Sequence, residues 1–191
     1  MKTMSNKKTK ITEELHPYDS KEERFELIEG IRYVVQAAPM IRHQQLVTYF
    51  AKCFEDFCVA EGLVLIGPID VLFDEDNEFQ PDVVYITNEN LHIVTEKKII
   101  GAPDIIIEIL SPSTSYNDKI RKKRVYERFG VKEYWIVDPV HLYVDQFVLT
   151  DKKYILANTY GYKDVVRSEL LSCIKIDLES IFNKLLVFDE D

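Results

Sequence analysis

The segment Asp104-Ile105-Ile106-Ile107-Glu108-Ile109-Leu110 sets a carboxylate inside an almost unbroken apolar run. Runs of this kind belong to strands covered on both faces. An ionised carboxylate buried there costs several kcal/mol unless something pairs with it. Any fold of this chain must therefore bring Glu108 a metal ion, or a Lys or Arg from a neighbouring element. A second carboxylate, Asp82, opens the run Asp82-Val83-Val84-Tyr85-Ile86 directly after Pro81. Two carboxylates converging from neighbouring strands make a hard oxygen site suited to Mg²⁺ or Mn²⁺. The plainer alternative is that Glu108 pairs with a basic side chain and Asp82 caps a strand.

The remaining pattern predicts an α/β architecture, a mixed central sheet flanked by helices. Residues 1–16 read as a flexible tail and 17–191 as a single domain. Phe25 to Val35 reads as two short strands about Gly30, an N-terminal hairpin. From about 41 to 61, Leu46, Val47, Phe50, Cys53, Phe54 and Phe57 recur at helical spacing, and Gly62 closes the segment. Strands are expected at 63–73, 82–86, 104–110 and 133–137, with a helix at 115–129 stopped by Gly130. A C-terminal hairpin at 141–160 and a short helix capped by Asp177 complete the prediction.

Two polar residues sit where apolar ones belong. At 100° per residue, Lys122 falls at the centre of the face formed by Val125, Tyr126 and Phe129, with Asp118 one turn earlier. A lysine aimed inward needs an anionic destination. An exposed Asp118–Lys122 pair, worth a few tenths of a kcal/mol, is the plainer reading. His43 lies in the middle of the first helix's apolar stripe. It is either a core histidine held by a backbone carbonyl or a group at the rim of the carboxylate site.

The net charge of −9 counts against a broad nucleic-acid-binding face. The distribution softens this: Asp118 to Arg128 holds six basic residues against two acidic ones, a local +4 that leaves −13 elsewhere. Such a run is either a solvated helix face or a phosphate-binding patch. Three cysteines, Cys53, Cys58 and Cys173, are odd in number and form no CxxC pair. They suit a reducing cytoplasm and argue against a disulfide framework or a zinc knuckle. No apolar run reaches the roughly 20 residues of a membrane span, and the first ten residues carry no secretory signal. A cytoplasmic protein that does not engage membranes is expected.

In order along the chain, Phe25-Glu26-Leu27-Ile28-Glu29-Gly30, Arg42-His43-Gln44, Gly67-Pro68-Ile69-Asp70-Val71, Gln80-Pro81-Asp82-Val83-Val84 and Gly101-Ala102-Pro103-Asp104 form a specific series. It continues with Glu108-Ile109-Leu110-Ser111-Pro112-Ser113-Thr114, then Asp118, Lys122 and Tyr126, then Glu133-Tyr134-Trp135-Ile136-Val137-Asp138. The series resembles the Uma family of restriction endonuclease-like proteins, within the PD-(D/E)XK nucleases, over about residues 18 to 185.

The resemblance implies a restriction endonuclease-like fold and Mg²⁺- or Mn²⁺-dependent hydrolysis of DNA phosphodiesters. It casts Asp82 and Glu108, with 25 residues between them, as metal ligands helped by the backbone carbonyl of Ile109. Leu110 stands where the motif has lysine, and the resemblance moves that role to Lys122. His43 and Glu26 take accessory roles, and the Ser111-Pro112-Ser113-Thr114 hydroxyls cap the following helix. Lys119, Arg121, Lys123 and Arg124 are the expected DNA contacts. Asp104 also follows a proline, but it lies about 13 Å along the strand from Glu108. Cutting both strands would favour a homodimer, for which the apolar residues Leu142, Tyr143, Val144, Phe147 and Val148 offer a surface. Two other classes stay open: a catalytically silent nuclease-fold module, and a partner-binding protein whose buried charges are structural ion pairs.

Overall fold

The apolar run at 105–109 and the aromatic run at 133–138 lie side by side as parallel neighbours inside a sheet, buried on both faces. The computed structural model describes residues 24–34, 40–112 and 114–187, so the expected tail at 1–16 lies outside the described residues. A hairpin of β1 (Phe25–Ile28) and β2 (Ile31–Val34) turns at Glu29-Gly30. Helix α1 (Ile41–Cys58) leads into β3 (Gly62–Ile66), β4 (Val71–Asp74), β5 (Asn77–Phe79) and β6 (Val83–Thr87). A 3₁₀ turn at Asn88–Ile93 precedes β7 (Ile99–Ile100) and β8 (Ile105–Ile109). A π-helical turn (Asn117–Lys122) runs into α2 (Lys123–Phe129), which ends at Gly130 with φ 87°. After β9 (Glu133–Asp138) comes the hairpin of β10 (Tyr143–Thr150) and β11 (Lys153–Gly161). The pair β12 (Val165–Arg167) and β13 (Lys175–Asp177) leads to α3 (Leu178–Phe182), capped by Asp177 as predicted.

The central sheet runs β11-β10-β9-β8-β6-β3, parallel between β8 and β9 and antiparallel elsewhere. Helices α1 and α3 cover one face through Leu46, Phe50, Phe54 and Leu178 against Ile107 and Trp135. On the other face Val125 and Tyr126 of α2, with Ile28 and Phe79 of a second sheet, pack on Val84, Ile106 and Tyr134. That second sheet is ordered β2-β1-β5-β4-β7. Alternation along β8 thus sends Ile105, Ile107 and Ile109 toward α1, and Ile106, Glu108 and Leu110 toward α2.

Several expectations need correcting. The strand read at 63–73 is two strands in different sheets, broken at Gly67-Pro68, where proline has no N–H for a ladder. Gly67 is also required by a close approach: its N–H donates to the Asp82 carbonyl at 2.9 Å, and a Cβ there would lie 2.6 Å from the Pro81 carbonyl. The first helix ends at Cys58 and not near 61. Strands β5, β7, β12 and β13, of two or three residues each, are too short to carry a period. Cys58 and Cys173 form a disulfide across 115 residues, against the expectation from cysteine count. Both lie against the core beneath α1, and sequence spacing carries no signal of that proximity. In the C-terminal hairpin Val144 and Phe147 are buried in the two cores, while Leu142, Tyr143 and Val148 are half-buried. Among the described residues, no helix is long and apolar enough to cross a membrane.

Candidate active site

The β6–β8 register pairs Val83 with Ile107, and continuing it by one residue sets Asp82 opposite Glu108. Residues opposite each other in an antiparallel pair project from the same face. Asp82 lies just beyond the end of β6, and its Oδ2 accepts the Ile109 N–H at 2.8 Å. The same oxygen meets His43 Nε2 at 3.1 Å. Burial opposes a charge on His43, but its hydrogen bond to Asp82 and that carboxylate's charge outweigh the burial and raise its pKa. The ring is therefore no core histidine held only by a backbone group. The Ile109 backbone beside the ring adds to that rise.

Glu108 is only 3% exposed, and its contacts converge on one oxygen. Oε1 accepts from Lys122 Nζ at 3.1 Å and from the Tyr126 hydroxyl at 2.9 Å. Lys122 reaches inward as its helical position predicts, and it meets three carboxylates at once. Glu26 Oε1 lies at 2.8 Å, Glu108 Oε1 at 3.1 Å and Asp118 Oδ1 at 3.1 Å. Its hydrogen bond goes to Glu108, while Glu26 and Asp118 are ion-paired to the same ammonium. Asp118 is thus one of three partners, and the simple i,i+4 pair understates the arrangement. The π turn places both Asp118 and Lys122 inward, and Tyr134 secures it through a 3.0 Å hydrogen bond to the Asp118 carbonyl. Glu26 comes from β1 and also accepts the Gln80 N–H, two residues before Asp82, at 3.1 Å.

The cluster's electrostatics follow from burial. Desolvation pushes the Glu108 carboxyl well above the usual range; Lys122 opposes this, while Asp118, Asp82 and Glu26 add to it. Desolvation likewise raises Asp118, partly offset by Lys122. Burial disfavours the charge on Lys122, yet its carboxylate partners raise its pKa well above the ordinary value. Four carboxylates (Glu26, Asp82, Glu108, Asp118) face one ammonium and one imidazole. With both bases charged, two negative charges are left over, which either protons or a dication must balance.

Donor chemistry agrees with a dication. Asp82 and Glu108 each have one oxygen engaged by the protein, and the Ile109 carbonyl belongs to the same strand end. Two carboxylates, a carbonyl and waters are a ligand set that Mg²⁺ accepts, since it keeps several waters. Among the described residues, no three His, Cys, Asp or Glu side chains form a closed metal cage.

A pH prediction follows for the cation-free protein. The native Glu108 carboxyl keeps its proton above the ordinary value of 4.5, at which an unfolded chain releases it. The native state then binds more protons, so this group's contribution to stability falls as pH rises. Glu108→Gln stays neutral and should gain on wild type by up to about 1.4 kcal/mol per pH unit until the native carboxyl ionises. Thermal unfolding in chelator from about pH 5 to about pH 8 checks it. A gap that does not change with pH would show that Glu108 holds no extra proton.

Other predicted residues fall elsewhere. Lys119 Nζ lies 3.5 Å from the Tyr143 hydroxyl, and Lys123 Nζ sits 3.5 Å above the Phe147 ring centroid. Burial lowers the Lys123 pKa. Arg124 lines a surface cleft with Arg128 and Lys153. Arg121 lies between two tyrosine rings. Leu110 is packed in the core on the α2 side. Asp104, at the far end of β8, holds Lys132 at 2.7 Å and also Thr87 and Asn90, a structural set. The helix-capping hydroxyl is Ser111, whose Oγ accepts the Thr114 N–H at 3.3 Å. Thr114 Oγ1 shares a 2.9 Å hydrogen bond with Ser111 Oγ, and Ser113 lies outside the described residues. Tyr126, a member of the apolar stripe and of the family series, was given no role; its position four residues after Lys122 is the signal for its hydroxyl's bond to Glu108.

A family model described as "Uma2: Putative restriction endonuclease" matches residues 12–179. Among solved structures, the chain is similar to one from Anabaena variabilis described as a putative nuclease belonging to DUF820. The two are 19% identical, with 87% of this chain and 93% of that one covered at a TM-score of 0.71, which shows a shared fold. No curated protein matches the chain.

Proposed function

The chain belongs to the Uma2 family, described as putative restriction endonucleases, and from that premise we propose that it is a divalent-metal-dependent endonuclease that hydrolyses DNA phosphodiesters. The observation that carries the proposal is that Asp82 and Glu108 come from adjacent strand ends and interact electrostatically, each with a single oxygen fixed by the protein. Asp82, Glu108 and the Ile109 carbonyl would hold the ion. When bound, such an ion polarises a phosphodiester and lowers the pKa of a coordinated water. Lys122 and Tyr126 hold Oε1 of Glu108, which leaves its other oxygen for the ion. His43 and the Ile109 N–H do the same for Asp82 through Oδ2. Glu26 ties Lys122 to the backbone just before Asp82. Buried among three carboxylates, Lys122 acts on them as a positioning residue. Lys119 and Arg124 are the basic residues best placed to meet phosphates, since Lys123 and Arg121 rest on aromatic rings.

Nicking of supercoiled plasmid in Mg²⁺ or Mn²⁺ tests the reading. Asp82→Ala and Glu108→Ala should each lower the rate roughly a hundred-fold or more. Cleavage that persists in chelator, or that Glu108→Ala leaves unchanged, would sink it. One observation favours a second reading, a binding module with structural ion pairs: Lys122 already has three carboxylate partners without any ion. Calorimetric titration with Mn²⁺ separates the two, because the module predicts no heat and no difference between wild type and Glu108→Ala.

A further inference from the structure

The β1–β2 hairpin meets the π turn twice. On the inside, Glu26 pairs with Lys122. Directly across the hairpin from Glu26 stands Tyr33, and its ring carries the guanidinium of Arg121, whose carbon lies 4.7 Å from the ring centroid. The same guanidinium carbon lies 5.0 Å from the Tyr116 ring centroid. Asn117 Oδ1 accepts from Arg121 Nη1 at 2.7 Å and fixes the plane of the group. A stack that served only to hold the hairpin would bury its outer ring. Tyr116 is instead 62% exposed.

We infer that Tyr116, backed by Arg121 and Tyr33, is a stacking platform for an unpaired DNA base next to the scissile phosphate. This rests on the nuclease reading above and names its substrate class: single-stranded DNA, or the unpaired portion of a frayed, overhanging or branched duplex. Residues 121 and 122 are adjacent, one touching the platform and the other the carboxylates, so the same turn carries both. Aromatic stacking suits an acidic chain, because it binds every base through its π-face and needs little phosphate neutralisation. A blunt duplex keeps its bases stacked on one another and offers the ring nothing.

The test is binding of the full chain, in chelator, to a fluorescent single-stranded oligonucleotide and to the blunt duplex of the same sequence. A second strand carries 2-aminopurine, whose fluorescence falls on stacking. Tyr116→Ala should weaken single-strand binding roughly tenfold and abolish the 2-aminopurine quench, with duplex affinity unchanged. Tyr116→Phe should bind as wild type does, because the ring does the work and not the hydroxyl. Equal loss on both DNAs, no loss on either, or failure of Tyr116→Phe overturns the platform and leaves the nuclease reading standing. Failure of the wild-type chain to bind any DNA sinks both.

Discussion

Lys122→Ala is expected to cost the fold about 3–5 kcal/mol, because it strands buried carboxylates without their counter-ion. Glu26, Glu108 and Asp118 each keep less than a tenth of their surface, and one ammonium serves all three. For a chain of this size, that cost corresponds to roughly a 10 °C fall in Tm. Lys123→Ala is the control, since its ammonium only covers the Phe147 ring and is worth about 1 kcal/mol or less. Removing the stranded charges should restore much of the loss, so Lys122→Met with Glu26→Gln and Asp118→Asn should melt well above Lys122→Met alone. A Lys122→Ala protein that melts with wild type would mean that the ammonium is not the cluster's counter-ion. Leu110→Lys is not expected to rescue it, because Leu110 is part of the core on the α2 side.

The second large effect lies outside the site. Glu133 is 1% exposed and, among the described residues, meets no cation. Four neutral donors satisfy it: Trp135 Nε1 at 2.8 Å and Gln146 Nε2 at 3.1 Å on one oxygen, with Ser168 Oγ at 2.8 Å and the Leu170 N–H on the other. These bonds join the start of β9 to the segment after β12. Glu133→Ala leaves four donors facing a void, and unsatisfied groups cost about 1–3 kcal/mol each before relaxation. A net loss of about 3–5 kcal/mol is expected, read as a fall in Tm by circular dichroism. Glu133→Gln recovers only part, since one of its two atoms donates where the carboxylate accepted. Nicking measured on the folded fraction should match wild type. A selective loss of nicking without destabilisation would move Glu133 into the active machinery.

How much of this was legible in the sequence depended on the type of signal. Glu108 declared itself because a charge in an apolar strand is expensive, and Lys122 and His43 because they interrupt a helical stripe. Those three positions, with Asp82 and Glu26, converge in space. Period gives direction but not distance. It could not tell that Asp118 and Glu108 share one ammonium, nor that the Tyr126 ring belongs to the core while its hydroxyl belongs to Glu108. Glu133 and Asp104 are carboxylates as buried as Glu108, yet their partners are structural, and local sequence does not separate the two cases. The second sheet went unread because pairings such as Leu27 with Glu78 join residues far apart in the chain through strands a few residues long.

The Cys58–Cys173 bond divides the molecule into a covalent ring and two arms. Asp82, Glu108, Asp118 and Lys122 all ride on the ring, whereas Glu26 and His43 are brought to it by the N-terminal arm. A protease that nicks the ring once, for instance in the exposed stretch around Lys97, leaves a single molecule that separates on a gel only after reduction. The same nick in the arm, between Glu26 and Cys58, frees the piece that carries Glu26 whatever the redox state. Limited digestion with and without reductant therefore sorts the site's parts by how each is tethered, and it does so without any assay of activity.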